Sequence, residues 1–531
     1  MGGTRNIIIT GFMGTGKTVV GKDLALLLGR EFVDTDDLIE QRVGIPIATI
    51  FADMGEPRFR ELENEVCREL ARTRNLVVST GGGMLLNTEN RKLLTSSGIV
   101  IRLKCSPEKI LGRVGKAGDR PLLNCADPAE RIDALLIKRE PAYSSLPFHV
   151  DTTSIGVVGT VETIVNILGG VDGTTEFISV ASPGDGGYTI AVGPNLLNNV
   201  GQMLQGRRLS SCIAVVTDEI VAGLYLEPLM GSLRAAGFRV FPCVVPAGEE
   251  SKKLSHVEQL YSQFLKHGLD RRGGVLALGG GVVGDLSGFA AATYMRGVQF
   301  VQCPTTLLAM VDSSVGGKTG VDLPHGKNLV GAFKQPILVV ADTNCLKSLP
   351  QKEIRMGMAE LIKHAIIDDA QMFEKLEQLG SPDLAPAQIA RSVNVKVKAV
   401  EKDPFESGLR EVLNLGHTVG HAVEKLSDYS LAHGDAVSIG LAAAARISHR
   451  MGFCGEHISQ RIEKLLGQTG LPVRHDMEPD RLVEIMASDK KTIEGRIRFV
   501  LVKDLGDVLN GCEVPDPLVK DVLNKMRNSK A

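Results

Sequence analysis

Short β-branched runs alternate with helical periodicity along the first third of the chain. Apolar runs at residues 7–10, 77–79 and 99–103 predict buried strands, and residues 17–28 between the first two predict a helix. An N-cap serine, a proline and an acid in succession indicate that another helix begins near Pro107. This βαβ order is typical of a parallel sheet with helices on both faces.

The hydrophobic pattern changes twice further along the chain. Residues 169–175 are short, polar and glycine-rich, which is typical of a linker. More strands are predicted near residues 213–217, 275–278, 300–302 and 337–340. From about residue 351 the segments are periodic and lack obvious strands until 496–502. We therefore predict four segments: an α/β domain at 1–170, a linker at 171–175, a Rossmann-like α/β domain at 176–345 and a mostly helical metal-binding domain at 346–531.

Composition sets the class of protein and its compartment. A chain of 531 residues is too long for one hydrophobic core, and 43% hydrophobic with 23% charged residues is ordinary for a globular protein. The 60 basic and 62 acidic residues nearly balance, so we expect no nucleic-acid or membrane partner, and anion sites must be local. Nine cysteines without a CxxC pair predict reduced thiols, and the short apolar start is no signal peptide or membrane span, so a cytoplasmic location is expected.

A phosphate-binding loop follows the first predicted strand. Residues 11–18 read GFMGTGKT, which matches GxxxxGK[ST] between a strand and a helix. In such loops the backbone N–H groups cradle nucleotide phosphates, so Lys17 would neutralise their charge and Thr18 would ligate Mg²⁺. The motif leaves the acceptor of the phosphoryl group open.

Other segments narrow the choice of acceptor. Residues 33–37 (VDTDD), 55–63 (GEPRFRELE) and 80–83 (TGGG), taken with the loop, resemble the shikimate kinases over residues 6–168. The resemblance implies shikimate contacts from Asp36, Arg60, Gly81, Gly82, Gly83 and Arg139. It implies ATP and Mg²⁺ contacts from Gly14, Thr15, Gly16, Lys17, Thr18, Asp34, Arg113 and Arg120. Arg113 and Arg120 lie in a segment, 112–124, that resembles the lid of these kinases. The catalytic residues would be Lys17, Asp36 and Arg120. For Asp36 alone, a helix N-cap is the alternative.

Histidines and an acid in the last third suggest a metal site. His417 and His421 are one helical turn apart, His433 follows, and Glu360 and Lys363 share a helix face. Two histidines and one glutamate with an open position are a common ligand set for catalytic zinc, and Co²⁺ would also fit. A helical HxxxH pair is more often structural, so these residues alone leave both interpretations open.

Long motifs then point to one family. Residues 279–297 read GGGVVGDLSGFAAATYMRG, in which GxGxxG is by itself a weak dinucleotide fingerprint. Together with 246–252, 304–310, 311–319 and 326–333 they resemble the 3-dehydroquinate synthases over residues 176–531. In the loop 402–410, Pro404 and Phe405 stand where charged residues are expected, which leaves the loop conformation open but retains Arg410.

This second resemblance implies a ligand set for each partner of the reaction. Zn²⁺ or Co²⁺ would be bound by Glu360, His417 and His433, which leaves His421 as a hydrogen-bonding or proton-transfer group. NAD would be contacted by Asp218, Glu249, Lys252, Gly281, Val282, Asp285, Thr305, Thr306, Asp312, Lys318 and Lys327. The substrate would be contacted by Arg296, Asp312, Lys318, Asn328, Lys363, Lys396, Arg410, Asn414 and His421, of which Lys318, Lys363 and His421 would be catalytic, and by either Lys490 or Lys491.

The two resemblances imply a bifunctional enzyme of chorismate and aromatic amino acid biosynthesis. One half would phosphorylate shikimate at its 3-hydroxyl with ATP, and the other would convert 3-deoxy-D-arabino-heptulosonate 7-phosphate to 3-dehydroquinate and phosphate with NAD and a metal. A homodimer through the synthase half is expected. The alternative is a related sugar-phosphate cyclase with a regulatory nucleotide-binding module. Because the two reactions are not consecutive in the pathway, we expect independent sites.

Overall fold

The computed structural model describes residues 4–114, 127–171, 173–182, 187–207, 209, 212–380, 383–428, 430–487 and 497–528. Arg120, Lys490 and Lys491 lie outside these residues, as does most of the segment 112–124. The chain folds into two compact units. The first is Met1–Leu278, Leu286–Cys303 and Thr319–Asp342, and the second is Gly279–Asp285, Pro304–Lys318 and Thr343–Ala531.

The first unit contains a parallel five-stranded sheet in the order β2-β3-β1-β4-β5. Its strands are β1 Asn6–Gly11, β2 Glu31–Asp34, β3 Leu76–Ser79, β4 Gly98–Lys104 and β5 Phe148–Asp151. Ile7, Ile8 and Ile9 of the central strand are completely buried, as expected for a strand that is covered on both faces. The carboxyl ends of these strands therefore meet at one edge, where ligands of such sheets bind.

Helices connect the strands of this sheet. They are α1 Lys17–Leu28, α2 Thr35–Val43, α3 Ile47–Leu70, α4 Thr88–Ser97, α5 Pro107–Val114, α6 Pro128–Ser144 and α7 Val157–Gly170. Local sequence sets their ends: Asp127 accepts hydrogen bonds from the N–H groups of Ala129 and Glu130 ahead of α6, and Gly29 ends α1 with a φ of 63°.

A second sheet in the same unit has seven strands in the order β6-β7-β14-β11-β10-β8-β9. The antiparallel pair β6 and β7 forms one edge, while β7–β14, β14–β11, β10–β8 and β8–β9 pair in parallel. The strands are β6 Glu176–Val180, β7 Tyr188–Gly193, β8 Cys212–Asp218, β9 Arg239–Val245, β10 Gly274–Gly279, β11 Gln299–Pro304 and β14 Leu338–Asp342; a separate two-stranded sheet contains β12 Lys318–Leu323 and β13 Gly326–Phe333. The helices between them are α8 Val200–Leu204, α9 Glu219–Val221, α10 Glu227–Ala235, α11 Leu254–Lys266 and α12 Gly281–Thr293.

The second unit is mostly helical. Its helices are α13 Gln351–Asp368, α14 Ala370–Leu379, α15 Pro386–Lys402, α16 His417–Leu426, α17 His433–Arg450, α18 Glu456–Gln468, α19 Pro479–Ala487 and α20 Asp516–Met526, and β15 Arg498–Asp504 pairs antiparallel with β16 Asp507–Glu513. The long helix α17 packs against α13, α16 and α18. Its alanine run at 442–445 is buried, which lets these neighbours approach closely.

The predicted fold class is confirmed: a parallel α/β domain, a second Rossmann-like sheet and a helical region. Helix α1 has the predicted bounds, and the strand predicted at 496–502 begins two residues later. The unpredicted strands are β5, β6, β7, β9, β12, β13 and β16, and the domain limits stay a prediction. Cysteines in the described residues are free thiols, and no described helix has both the length and the apolar character needed to span a membrane.

Candidate active sites

The phosphate loop lies where the sequence predicts it. Gly16 is the N-cap of α1 with a φ of 94°, and the Lys17 ammonium donates to the Phe12 carbonyl at 3.1 Å. The Thr18 hydroxyl donates to Asp34 Oδ2 at 3.0 Å. A hydroxyl beside a carboxylate at the mouth of such a loop is the donor pair that suits Mg²⁺. Arg113 donates to the Gly14 carbonyl at 3.0 Å, so this predicted nucleotide contact lies against the loop.

Asp34, not Asp36, caps the helix that follows β2. Its carboxylate accepts the Asp36 N–H at 3.1 Å, so the alternative of an N-cap does not apply to Asp36. The Asp36 carboxylate instead faces the glycine run, since a Cβ added to Gly81 would come within 2.5 Å of Asp36 Oδ1. The absence of a side chain at Gly81 therefore lets the backbone lie close to this carboxylate.

The other predicted shikimate contacts converge on the same run of three glycines. Arg139 donates to the Gly82 carbonyl at 3.0 Å, and a Cβ on Gly83 would lie 2.6 Å from Arg60 Nη1. One carboxylate and two guanidinium groups thus line a stretch of backbone without side chains. This arrangement can bind a small hydroxylated carboxylate, with the arginines on its carboxylate and Asp36 on its hydroxyls.

Glu63 belongs to this group and was missed. It is buried at 1% exposure, its Oε2 lies 2.6 Å from Arg60 Nη1, and burial raises the pKa of its carboxyl despite that ion pair. This ion pair therefore orients the Arg60 guanidinium. Its spacing of three residues from Arg60 on α3 could have indicated the ion pair.

The predicted metal ligands are brought together in the second unit. One ligand atom each from Glu360, His417 and His433 lie within 4.8 Å of one another. His417 Nε2 and His433 Nε2 are 3.5 and 3.6 Å from Glu360 Oε1. Both histidines are the first residues of their helices, α16 and α17, whereas Glu360 lies in the middle of α13 and is completely buried.

Neighbouring groups orient the two imidazoles. Nδ1 of His433 lies 3.1 Å from Glu424 Oε1, and Nδ1 of His417 lies 3.2 Å from the Leu415 carbonyl. This leaves Nε2 of each ring directed at Glu360, which is how metal-binding histidines are usually held. Glu424 was also missed, although it follows His417 by two helical turns on α16 and so shares its face.

The charges of this cluster suit a cation. Burial by itself would raise the pKa of Glu360, but the Lys363 ammonium, which forms an ion pair with it, lowers that pKa well below its usual range. Burial, with Lys363, lowers the pKa of His417 far below its usual value, so that ring is neutral and can bind a metal. Burial lowers the pKa of His433 too, but hydrogen bonds with Glu360 and Glu424 outweigh it and raise that pKa to about 10. The site thus favours positive charge, which a divalent ion can supply in place of a proton.

Further predicted substrate residues surround this cluster. The Lys396 ammonium lies 2.7 Å from Asp312 Oδ1, and Asp312 also faces the buried His364, whose Nε2 is 4.0 Å away. His364, which was not predicted, could form a second oxygen-and-nitrogen cluster with Asp312 and Glu360. Because Lys396 already neutralises Asp312, the first cluster is the better metal site.

The loop that the sequence left open has a definite conformation. The Asp403 carboxylate accepts hydrogen bonds from the N–H groups of Ser407, Gly408 and Arg410, at 2.8, 2.8 and 3.1 Å, which lower its pKa. Arg410 is buried and donates to the Gly316 carbonyl at 3.4 Å. Phe405 is exposed, so an apolar residue there leaves the loop and Arg410 in place.

Glu406, which was not predicted to contribute, forms an ion pair with Lys318 and has a left-handed backbone with a φ of 58°. Asn414 ends the short helical turn before α16, and the ring of His421 lies 5.2 Å from that of His417. The ring contact places His421 beside His417 of this cluster.

The predicted NAD residues fall into both units. In the second, the Gly279 carbonyl accepts the Thr305 N–H at 3.0 Å, the Thr306 hydroxyl accepts the Ala309 N–H, and Gly281, Val282 and Asp285 lie in the first turns of α12. In the first, Asp218 caps α9, Glu249 pairs with Lys327 at 3.4 Å, and Lys252 donates to Asn328 Oδ1 at 2.5 Å. Arg296 of the first unit has a left-handed backbone with a φ of 67°.

Families of known proteins match both parts of the chain. Residues 13–168 match shikimate kinase. Residues 242–356 match the N-terminal part of 3-dehydroquinate synthase, and residues 357–492 match its C-terminal part. The 3-dehydroquinate synthase of Nostoc punctiforme is 43% identical over 363 residues, an alignment that covers 66% of this chain and 100% of that protein.

The chain belongs to the 3-dehydroquinate synthases, with a shikimate kinase fused ahead of the synthase. Both predicted enzymes are thereby confirmed, and so is their place in the shikimate pathway.

Solved structures resemble the synthase half more distantly. The 2-epi-5-epi-valiolone synthase ValA of Streptomyces hygroscopicus, with NAD⁺ and Zn²⁺ bound, is 30% identical and has a TM-score of 0.58 over 64% of this chain and 96% of that one. A 2-deoxy-scyllo-inosose synthase complexed with carbaglucose-6-phosphate, NAD⁺ and Co²⁺ is 27% identical, with a TM-score of 0.60 over 66% of this chain and 100% of that one.

Proposed function

We propose that the kinase half transfers the γ-phosphoryl group of ATP to the 3-hydroxyl of shikimate. We further propose that the synthase half converts 3-deoxy-D-arabino-heptulosonate 7-phosphate to 3-dehydroquinate and phosphate, with NAD and a divalent metal. The observation that carries the first proposal is the convergence of Asp36, Arg60 and Arg139 on Gly81, Gly82 and Gly83. The observation that carries the second is the buried cluster of Glu360, His417 and His433.

In the kinase half, the residues that contact the loop bind nucleotide and those at the glycine run bind acceptor. Gly14, Thr15 and Gly16 supply backbone N–H groups to the phosphates, and Lys17 and Arg120 stabilise the charge on the transferring group. Mg²⁺, held by Thr18 with Asp34 nearby, would neutralise phosphate charge. Asp36 orients the attacking hydroxyl and accepts its proton, while Arg60 and Arg139 clamp the carboxylate.

In the synthase half, Glu360, His417 and His433 would hold Zn²⁺ or Co²⁺, which when bound polarises a substrate oxygen. NAD⁺, when bound, would supply reversible hydride transfer at a substrate alcohol. The residues of the chain that bind the anionic substrate are Arg296, Asp312, Lys318, Asn328, Lys363, Lys396, Arg410 and Asn414. His421 holds or moves a proton beside the metal cluster.

The proposed use of NAD⁺ makes a prediction about stoichiometry. We expect the chain, supplied with metal, excess heptulosonate phosphate and far less NAD⁺ than substrate, to release phosphate in multiple equivalents per NAD⁺, because the hydride returns within each turnover. Phosphate release and NADH absorbance followed together would check this. Accumulation of one NADH per phosphate would contradict the proposal.

A related cyclase is the second candidate, because the two similar solved structures are a valiolone synthase and an inosose synthase. The higher identity to 3-dehydroquinate synthases favours our proposal. Comparison of turnover with heptulosonate phosphate, sedoheptulose 7-phosphate and glucose 6-phosphate separates them. Equal or better turnover of either of the latter would support the alternative.

For the kinase half, the second candidate is a regulatory nucleotide-binding module. ATP consumption that requires shikimate supports the kinase, whereas ATP binding without any phosphorylated shikimate supports the module.

Glu424 provides a test of how the metal is held. We expect Glu424→Gln to weaken metal binding by about tenfold to a hundredfold, because the carboxylate that fixes the His433 ring is lost. Titration of the metal-free chain with Zn²⁺ by calorimetry would measure this. Glu456→Gln on α18 is the control and should bind Zn²⁺ like the parent; an unchanged affinity in Glu424→Gln would contradict the role.

We also propose a cytoplasmic enzyme that forms a homodimer through its synthase half, with domains at 1–170, 176–345 and 346–531 and a linker at 171–175. The free thiols of the described cysteines support the compartment.

A further inference from the structure

The kinase and synthase halves are joined within the first unit by more than the linker. On the kinase side, Lys104 donates to the Gly206 carbonyl at 2.9 Å, and Arg5 forms an ion pair with Glu176 at 2.7 Å. The rings of Phe148 and Phe177 meet edge to face at 5.8 Å. Strand β5 at the edge of the kinase sheet thus contacts β6, the first strand of the synthase half, through this pair of rings.

Arg207 of the synthase half lies at the centre of this junction. It is buried at 8% exposure, and its guanidinium donates to the carbonyls of Ser144 and Leu146 at 2.8 and 2.9 Å. It also donates to the carbonyls of Met203 and Ile337 in its own half, at 2.8 and 2.9 Å. A rigid planar cation therefore ties two carbonyls of the kinase to two of the synthase.

Those kinase carbonyls lie at the end of α6. Helix α6 ends at Ser144, and Thr189 on β7 donates its hydroxyl to the carbonyl of Ser145, the C-cap. Donors from the synthase half thus satisfy three consecutive carbonyls at a helix C-terminus. Such carbonyls have no partner inside their own helix, and a cation there also complements the helix dipole.

The last turns of α6 carry the acceptor site. Arg139 and Tyr143 both donate to the Gly82 carbonyl, at 3.0 and 2.5 Å, and both residues are buried. The Arg102 guanidinium stacks over the Tyr143 ring at 4.7 Å and pairs with Glu140 on the same helix. A shift of this helix end would therefore move Arg139 relative to the glycine run.

We propose that Arg207, assisted by Thr189, is a positioning residue for shikimate binding: the synthase half holds the end of α6 so that Arg139 faces the acceptor. This rests on the proposed role of Arg139. It also means that the kinase depends on the synthase half for its geometry, in contrast to the independence expected from the sequence.

The test uses the full chain with Arg207→Gln, Arg207→Lys and Thr189→Val. We expect the KM for shikimate to rise about tenfold in Arg207→Gln and about threefold in Thr189→Val. The larger effect is expected for Arg207 because hydrogen bonds from a charged donor are stronger than those from a neutral hydroxyl. The KM of Arg207→Lys should lie between those of the parent and Arg207→Gln, since lysine keeps the positive charge but lacks the planar set of N–H donors. The KM for ATP, kcat and synthase turnover should stay unchanged.

The control is Thr469→Val at the C-cap of α18, where a hydroxyl likewise donates to a carbonyl, that of Leu466 at 2.9 Å. It should leave the KM for shikimate unchanged. A merely structural role for Arg207 would lower the melting temperature and the active fraction without a selective change in that KM. Thr189→Val is nearly isosteric and should fold, so its KM for shikimate tests the positioning role even if Arg207→Gln does not fold.

Arg139→Lys, measured in the same assay, separates this inference from the proposed function. If Arg139→Lys raises the KM for shikimate and the Thr189 and Arg207 variants that fold do not, the positioning role alone is overturned. If Arg139→Lys leaves it unchanged, the proposed role of Arg139 fails, and the inference fails with it.

Discussion

Lys17→Ala lowers the shikimate kinase rate by about a hundredfold to a thousandfold, the loss seen when one fixed donor to developing charge is removed. Lys17 begins α1 beside the loop, and its ammonium is held near the Phe12 carbonyl. It is the one basic residue among residues 11–18, so its removal takes away the positive charge of the loop. The measurement is formation of phosphorylated shikimate from ATP under saturating shikimate. Synthase turnover of the same preparation should be that of the parent.

Lys22→Ala is the matched control because Lys22 is an exposed lysine on the same helix, with its ammonium 5.8 Å from the Phe32 ring. It should phosphorylate shikimate at the parental rate. Retention of kinase activity by Lys17→Ala would show that the loop is not the nucleotide site.

Glu360→Gln should lower synthase turnover by about a thousandfold or more, since a bound metal contributes several kcal/mol to charge stabilisation. The carboxylate is the only anionic group of the three proposed ligands and is completely buried against Lys363. Its loss leaves two imidazoles beside an uncompensated ammonium, an arrangement that repels a divalent ion. Metal content after dialysis, measured together with phosphate release, checks both parts of the expectation.

His449→Asn on α17 is the control for this variant, because it removes an imidazole of the helix that also carries His433 without touching the cluster. It should keep the metal and the activity. The kinase rate of Glu360→Gln reports on folding and should be unchanged. A metal-free but fully active Glu360→Gln would exclude the cluster from the reaction.

Elements with strong local signals could be predicted closely from the sequence. Helix α1 has its predicted bounds because a phosphate loop starts it and Gly29 ends it with a left-handed backbone. Strands β6 and β7 were missed because the region after the linker is polar and glycine-rich, and the strands are short and buried on both faces, so they show no alternation.

Site residues that belong to a sequence motif could be predicted. Site residues whose role depends only on tertiary contacts could not. Asp36, Arg139 and the cluster of Glu360, His417 and His433 were predicted from motifs and resemblance, and the structure brings each set together. Glu63 and Glu424 were missed because helical spacing indicates which face a residue occupies but not which group that face meets. Arg207 carries no sequence signal at all, since its kinase partners are backbone carbonyls about sixty residues earlier in the chain.

The most direct test of two active halves in one chain is product analysis of a single preparation. The purified full chain is given shikimate with ATP and Mg²⁺ in one vessel, and 3-deoxy-D-arabino-heptulosonate 7-phosphate with NAD⁺ and Zn²⁺ in another, and the products are identified by mass spectrometry. We predict shikimate 3-phosphate in the first vessel and 3-dehydroquinate with inorganic phosphate in the second. Absence of either product from a folded, metal-loaded chain would contradict the account.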